Sequence, residues 1–201
     1  MKQIRSTLFI EKLQADTRSI ILAANQLSTT DPEFLLTQPA PDKWSVVQIL
    51  EHLNSYSRYY LPALEKALQA NKPAIRSFTP GWLGAYFTRI MKPNENGKIV
   101  NKMKAPKDHR PAADLDIKPV MSNFLLHQHL LLDLLETAKT KDINSIRVPI
   151  SIAKFIKLKA GDVFGFFIAH EQRHFIQIAN TIASLKNVTG KFRVVHPAVL
   201  Q

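Results

Sequence analysis

The sequence predicts an all-α protein built as a four-helix bundle, with a long crossover between helices two and three. Four long segments carry apolar residues at the three- and four-residue spacing of an amphipathic helix. Stretches rich in Pro, Gly, Asp and Asn separate these segments, and such residues favour turns and loops. The chain has 201 residues, of which 45% are hydrophobic and 21% are charged. This is enough to bury one core, so we expect a single domain over residues 1–201.

The first two helices are expected at about 7–26 and 44–70. Each carries a broad apolar stripe that can face a core. The second follows a turn-rich segment, and Ser45 is a candidate N-cap because its hydroxyl can accept a hydrogen bond from a backbone N–H of the first turn. Pro62 is expected to kink this helix, since proline removes one hydrogen bond from the ladder.

The third and fourth helices are expected at about 111–139 and 161–186. Asp162 is the candidate N-cap of the fourth helix. Between the two helices, a short connection at 148–150 and a basic segment carry no clear helical pattern.

Two further segments interrupt the helical pattern. The first covers residues 71–110 and surrounds one short apolar patch with Pro, Gly and Asn, a composition typical of a crossover or a lid. The second is a tail at residues 190–201 with an extended-looking apolar pattern, to which no role is assigned.

The composition excludes several kinds of site. Cysteine is absent, so any metal must be held by imidazole and carboxylate groups. There is no apolar run near 18 residues, and the amino end lacks the apolar core of a signal peptide. We therefore expect a cytoplasmic protein that does not associate with a membrane.

The charge is strongly basic, with 27 Lys and Arg against 16 Asp and Glu and a net charge of +11. The basic residues concentrate in segments that resemble loops, which favours a solvated surface over a nucleic-acid interface. Nucleic acid is therefore an unlikely partner, and the alternative is that the basic loops attract an anionic small-molecule substrate. The residues are Lys92, Lys98, Lys102, Lys104, Lys107, Arg110, Lys154, Lys157 and Lys159.

The most informative motif is H-E-x-x-H, formed by His170, Glu171 and His174. Two histidines four residues apart share one helix face and can bind one metal ion. In zinc proteases with this motif the glutamate is the general base, and a third ligand follows downstream. Here Gln177 and Asn180 replace the Gly and His of the extended motif, and no Asp or Glu follows Glu171. A protease is therefore disfavoured.

The third ligand is expected upstream of the motif, because His196 falls in the predicted tail. His52 lies in phase with the inward stripe of helix two, at spacings of 3, 4 and 3 through Ile49, Tyr56 and Tyr59. The facing stripes of helices two and four can thus bring three imidazoles to one ion and leave a coordination position open.

The remaining upstream histidines fit this site less well. His127 and His129 lie about 200° apart around helix three and cannot both face the core. Each is interpreted as a boundary histidine bonded to a neighbour, although one could line the pocket. His109 lies between Asp108 and Arg110 in a polar loop and is predicted to be exposed.

Two segments together resemble the DinB/YfiT-like superfamily of metalloenzymes. Trp44 to Leu53 fits the pattern W-S-x-x-[EQ]-x-x-x-H-L, and His170 to Ile178 fits H-x-x-[RQ]-H-x-x-Q-I. The resemblance implies a four-helix bundle of DinB type and a divalent metal, most often zinc or nickel, bound by His52, His170 and His174. It also implies a homodimer. Its characterised members include thiol-dependent transferases and isomerases.

The resemblance leaves the reaction open between a thiol S-transferase and a hydrolase, and either would act on a small molecule. The transferase would also use a low-molecular-weight thiol. The other class is a non-catalytic bundle that binds a metal or a ligand. Glu171 lies about 100° from the histidine face, so it is expected to orient a ligand histidine or to form a salt bridge. Tyr56, Tyr59 and Gln177 are candidates to line the pocket, with core packing as the simpler role for the two tyrosines.

Overall fold

The chain is mostly helical, as the sequence predicts. The structure is a computed structural model, and it describes residues 3–93, 99 and 103–189. In chain order the elements are β1 (Ile4–Arg5), α1 (Ser6–Leu27), α2 (Pro32–Leu36), α3 (Val46–Leu68), β2 (Ser77–Phe78), α4 (Trp82–Met91), a short 3-10 helix (Lys107–His109), α5 (Ile117–Ala138), β3 (Arg147–Ile150), β4 (Ala153–Lys159) and α6 (Ala160–Thr189).

The four long helices α1, α3, α5 and α6 surround one apolar core. Helix α3 packs along α5, α1 packs on α5 and α6, and α6 packs on α3. Burial of large apolar side chains drives this arrangement. The largest fully buried ones include Phe34, Tyr60, Phe78, Phe124, Phe164 and Phe167.

Ser45 caps helix α3, which confirms its predicted role. The Gln48 N–H donates to Ser45 Oγ at 3.2 Å, and the Ser45 N–H donates to Gln48 Oε1 at 3.0 Å. This reciprocal arrangement satisfies two backbone donors that a helix start otherwise leaves without partners. The first turn of the helix is therefore fixed two turns before His52. Pro62 lies inside the same helix.

The predicted crossover contains helix α4, which packs on α6. Helix α6 begins at Ala160, so Asp162 lies in its first turn instead of at the predicted N-cap position. Both carboxylate oxygens of Asp162 accept the N–H of Gly81, at 3.1 and 3.0 Å. A Cβ at Gly84 would lie 2.3 Å from the Asp162 Cβ, so only glycine allows this close approach.

Two small antiparallel ribbons lie beside the helices. Strand β1 pairs with β2, and β3 pairs with β4. The sequence predicts only a connection at 148–150, because the alternation of buried and exposed residues in β3 spans just four positions. A pattern of that length does not distinguish a strand from a loop.

The carboxyl-terminal half also departs from the predicted boundaries. Helix α5 begins at Ile117 instead of residue 111, because the Asp116 carboxylate caps it by accepting the Lys118 N–H at 2.9 Å. The predicted tail at 190–201 lies outside the described residues. So do Lys98 and Lys102 of the crossover. None of the described helices combines the length and the apolar character needed to cross a bilayer.

Candidate metal centre

Three histidines converge between helices α3 and α6. His52 comes from α3, and His170 and His174 come from adjacent turns of α6. The Nε2 atom of His170 lies 3.4 Å from that of His52 and 3.1 Å from that of His174. All three side chains are buried, with 3%, 4% and 8% of their surface exposed for His52, His170 and His174.

The spacing of these nitrogens fits a single metal ion. Ligand nitrogens in zinc sites lie about 2.0–2.1 Å from the ion, and tetrahedral geometry then separates two of them by about 3.3 Å. One nitrogen from each of the three histidines lies within 4.8 Å of the other two. Among the described residues, no fourth His, Asp or Glu joins this group.

Burial keeps these imidazoles neutral. Desolvation lowers the pKa of His52 to about 4 and that of His174 to about 3. It also lowers the pKa of His170 well below the ordinary value, and the nearby His174 and His52 lower it further. Neutral imidazole is the form that binds metal ions, so the site requires no proton release at neutral pH.

Two of the three rings are held by oxygen acceptors. His52 Nδ1 lies 2.7 Å from the backbone carbonyl oxygen of His109, and His174 Nδ1 lies 2.8 Å from Gln177 Oε1. Each acceptor requires the proton on Nδ1, which leaves Nε2 with a free electron pair directed at the cluster. The third ring differs, because His170 Nδ1 is buried and has no hydrogen-bond partner among the described residues.

Aromatic rings enclose the cluster. The Tyr56 ring lies 5.1 Å from the His52 ring and 4.5 Å from the His170 ring, measured between centroids. Trp44 is 5.0 Å from His52, and Phe166 stacks on His170 at 6.0 Å. Burial raises the pKa of Tyr56 to about 12, so its phenol keeps its proton.

Of the three candidate pocket residues, two contact the cluster. Tyr56 packs on two of the histidines, and Gln177 hydrogen-bonds to His174. The described ring contact of Tyr59 is with Tyr60, at 5.0 Å, away from the histidines. This agrees with the alternative of simple packing for Tyr59.

The predicted exposure of His109 is wrong. Its side chain is only 8% exposed, and its ring stacks on Tyr56 with 3.8 Å between centroids. His109 Nδ1 also lies 2.9 Å from the Ser55 hydroxyl oxygen. The sequence does not indicate the burial of His109, because its neighbours Asp108 and Arg110 are charged. An isolated histidine in a loop also has no periodicity that predicts burial.

The histidines of helix α5 lie outside the cluster. His127 is half-buried, and its Nδ1 lies 2.9 Å from Asn54 Oδ1. His129 is exposed. The prediction that only one of them can turn towards the core is confirmed, and so is the interpretation of His127 as a boundary residue.

Glu171 faces helix α5. It is fully buried, and its Oε1 accepts a hydrogen bond from Gln128 Nε2 at 2.7 Å. Desolvation raises its pKa to about 8, so the carboxyl group is protonated at neutral pH. Within the described part of the chain it contacts neither a ligand histidine nor a cation, which corrects both roles expected for it. An internal partner 43 residues away leaves no signal in the motif itself.

A comparison with protein families supports the resemblance seen in the sequence. Residues 14–178 match the profile of the DinB superfamily. The chain belongs to the DinB superfamily. The match spans the segment from helix α1 to the middle of α6 and includes all three histidines of the cluster.

A solved structure shows the same fold as this DinB-superfamily chain. It is similar to YfiT from Bacillus subtilis, described as a probable metal-dependent hydrolase with an unusual four-helix bundle topology. The two chains share 17% identity with a TM-score of 0.52, over 92% of this chain and 87% of YfiT. The predicted four-helix bundle of DinB/YfiT type is therefore confirmed. No curated protein matches the sequence significantly.

Proposed function

We propose that this protein is a divalent-metal-dependent enzyme that acts on a small molecule, with the metal bound by His52, His170 and His174. The convergence of three buried, neutral imidazoles supports this proposal most directly. Zinc and nickel are the proposed ions, since imidazole suits both. Hydrolysis is the first candidate reaction, in keeping with the description of YfiT as a probable metal-dependent hydrolase. Transfer of a low-molecular-weight thiol is the second.

The number of ligands favours catalysis over a purely structural site. Structural zinc sites are usually closed by four protein ligands, whereas catalytic sites use three and keep one position open. The described cluster offers three histidines and no carboxylate. A non-catalytic bundle would have no need for this open position.

When bound, a divalent ion polarises a carbonyl oxygen and lowers the pKa of a bound water or thiol. The chain's own residues prepare the site for this chemistry. The His109 carbonyl and Gln177 fix the imidazole rings of His52 and His174. The Tyr56 and Phe166 rings limit the access of bulk water. Glu171 is neutral and turned towards α5, so it does not act as the base that a zinc protease requires.

We extend the proposal to the partners of the protein. A net charge of +11 suits an anionic substrate, including a thiol that carries a carboxylate, and Lys104 is an exposed basic residue of the crossover. A cytoplasmic location, where such thiols stay reduced, fits this chemistry. We also propose a homodimer, for which Leu126 and Leu130 offer a contact because they lie one turn apart on α5 and are 56% and 44% exposed.

The metal proposal is tested by reconstitution of the metal-free chain with zinc or nickel and measurement of the bound metal by plasma mass spectrometry. We expect about one ion per chain for wild type, and loss of that ion in His52→Ala and His174→Ala. His129→Ala is the matched control, because His129 is exposed and outside the cluster. A wild-type chain without stoichiometric metal after reconstitution would contradict the proposal.

Two further measurements separate the finer alternatives. Ester or amide hydrolysis by the loaded protein, compared with consumption of an added thiol in the presence of an electrophile, distinguishes hydrolase from transferase. Light scattering of wild type and Leu126→Glu tests the dimer. We expect the variant to be a monomer, and a wild-type monomer at micromolar concentration would exclude this assembly.

A further inference from the structure

In the residues that the structure describes, the polar segment before helix α5 reaches the metal centre through His109. The peptide carbonyl of His109 accepts the hydrogen bond from His52 Nδ1 at 2.7 Å. Among residues 103–110, which the structure describes, His109 makes the hydrogen bonds that join this segment to α3. Its position therefore determines where the acceptor for the His52 ring lies.

The side chain of His109 holds this carbonyl in place from one side. The Ser55 hydroxyl donates its single proton to the His52 carbonyl oxygen at 2.6 Å. Ser55 Oγ can then only accept at its second contact, so His109 carries a proton on Nδ1 and donates it over 2.9 Å. His109 and Ser55 thus enclose His52, one at its ring and the other at its backbone.

The ring of His109 also reaches the centre, through Tyr56. It stacks on the Tyr56 ring at 3.8 Å between centroids and 23° between planes. Tyr56 in turn contacts the His170 ring at 4.5 Å. A displaced His109 would withdraw its own carbonyl from His52 Nδ1 and would also release the Tyr56 ring, which packs against His170.

We propose that His109 is a positioning residue of the metal centre. This inference rests on the proposed function. His109 holds His52 with the proton on Nδ1, so that the Nε2 electron pair is directed at the ion. It also fixes Tyr56 against His170. The internal bonds of its short 3-10 helix, from His109 N–H to Pro106 and from Arg110 N–H to Lys107, are local and do not anchor the segment to the bundle. Without the side chain, the segment keeps the hydrogen bonds that its carbonyls accept from His52 and Gln48 of α3. It loses the Ser55 hydrogen bond and the Tyr56 contact, which fix the position of the His109 carbonyl.

The size of the effect follows from the chemistry of other metal sites. Loss of a group that orients a ligand histidine typically weakens metal affinity about 10- to 100-fold. His109→Ala removes both the hydrogen bond and the stacking contact, so we expect a loss in this range. His109→Phe keeps a ring against Tyr56 and removes the hydrogen bond, so a smaller loss is expected. Ser55→Ala removes the hydrogen bond between Ser55 and His109 by deleting the Ser55 hydroxyl instead of the His109 ring.

The experiment is a titration of the metal-free full chain with cobalt(II), followed by visible absorption, which reports both affinity and coordination geometry. His127→Ala is the matched control, because His127 also hydrogen-bonds to α3 and lies outside the centre. We expect weaker binding and an altered cobalt spectrum for His109→Ala, an intermediate result for His109→Phe, and wild-type behaviour for His127→Ala. Circular dichroism verifies that each variant is folded.

Several outcomes would overturn the inference. A folded His109→Ala that binds cobalt with wild-type affinity and spectrum excludes a positioning role, as does an equal loss in His127→Ala. If His109→Ala does not fold, His109→Phe and Ser55→Ala decide the question by the same criterion. Failure of the wild type to bind cobalt contradicts the proposed function and this inference together, whereas normal wild-type binding with unaffected variants contradicts the inference alone.

Discussion

His170 and Glu171 are adjacent on α6 and point about 100° apart around the helix axis, towards different neighbouring helices. His170 belongs to the cluster beside α3, and Glu171 pairs with Gln128 of α5. Burial leaves both side chains uncharged through opposite pKa shifts. It lowers the pKa of the His170 imidazole and raises that of the Glu171 carboxyl group. The same desolvation therefore prepares one residue to bind a cation and prevents its neighbour from doing so.

The two sides also differ in how their polar atoms are satisfied. On the α5 side, the chain supplies its own donor, the Gln128 amide. Within the described part of the chain, Gln128 Oε1 and Glu171 Oε2 have no hydrogen-bond partner. A proton on Glu171 Oε2 turns that oxygen into a donor. On the α3 side, three imidazole nitrogens converge on one another. The α5 side thus pairs two side chains of the protein with each other, whereas the α3 side brings together three nitrogens that could hold an ion.

The most complete loss is expected on the α3 side. His170→Ala removes the central ligand, so added zinc should no longer stabilise the protein against unfolding. For wild type, zinc at about 100 times its dissociation constant should add about 2.7 kcal/mol to the free energy of unfolding. Urea unfolding with and without zinc measures both values. Glu171→Gln is the matched control and should keep the wild-type increment, and its loss there would contradict the separation of the two sides.

The second prediction concerns pH and Glu171→Gln. Because the folded pKa of Glu171 is raised from 4.5 to about 8, the folded state keeps a proton that the unfolded state releases. The contribution of Glu171 to stability is therefore complete below about pH 4.5 and is lost as pH rises to about 8, by at most about 1.4 kcal/mol per pH unit. Glu171→Gln lacks this loss, so its advantage over wild type should grow with pH. Urea unfolding of the metal-free proteins from pH 5 to 8 measures the difference, and a constant difference would indicate a charged Glu171.

The third prediction concerns Gln128, the partner of Glu171 on the α5 side. Gln128→Leu leaves the Glu171 carboxyl buried without its donor, which should cost about 1–3 kcal/mol of stability. Metal affinity should change less than twofold, since Gln128 does not contact the histidine cluster. Thermal unfolding and the cobalt titration together test this. A large loss of metal affinity would show that the two sides are coupled through α6.

Local patterns account for what the sequence predicts correctly. The Ser45 cap and the phases of His52, His170 and His174 follow from spacing within one helix, and the structure places these residues accordingly. The sequence does not predict the Glu171 partner, because Gln128 lies on another helix. Periodicity places a residue on a face, but it does not identify what that face meets.

Other errors have the same physical origin. The burial of His109 depends on contacts with Ser55 and Tyr56, more than 50 positions earlier in the chain. The sequence predicts only an apolar patch where helix α4 lies, because the interior glycine at Gly84 weakens a helical pattern. That glycine is explained only by the Asp162 side chain against which it packs.

The distance along the chain between two of the histidines has a consequence for folding. His52 and His170 are separated by 118 positions, yet their nitrogens meet at 3.4 Å. An ion shared by both would act as a reversible crosslink that closes most of the chain into one loop. A permanent crosslink over a loop of this size lowers the entropy of the unfolded chain, which raises the free energy of that state by about 5 kcal/mol at room temperature. The supply of metal in the cell would then influence how long each folded molecule survives as well as whether it is active.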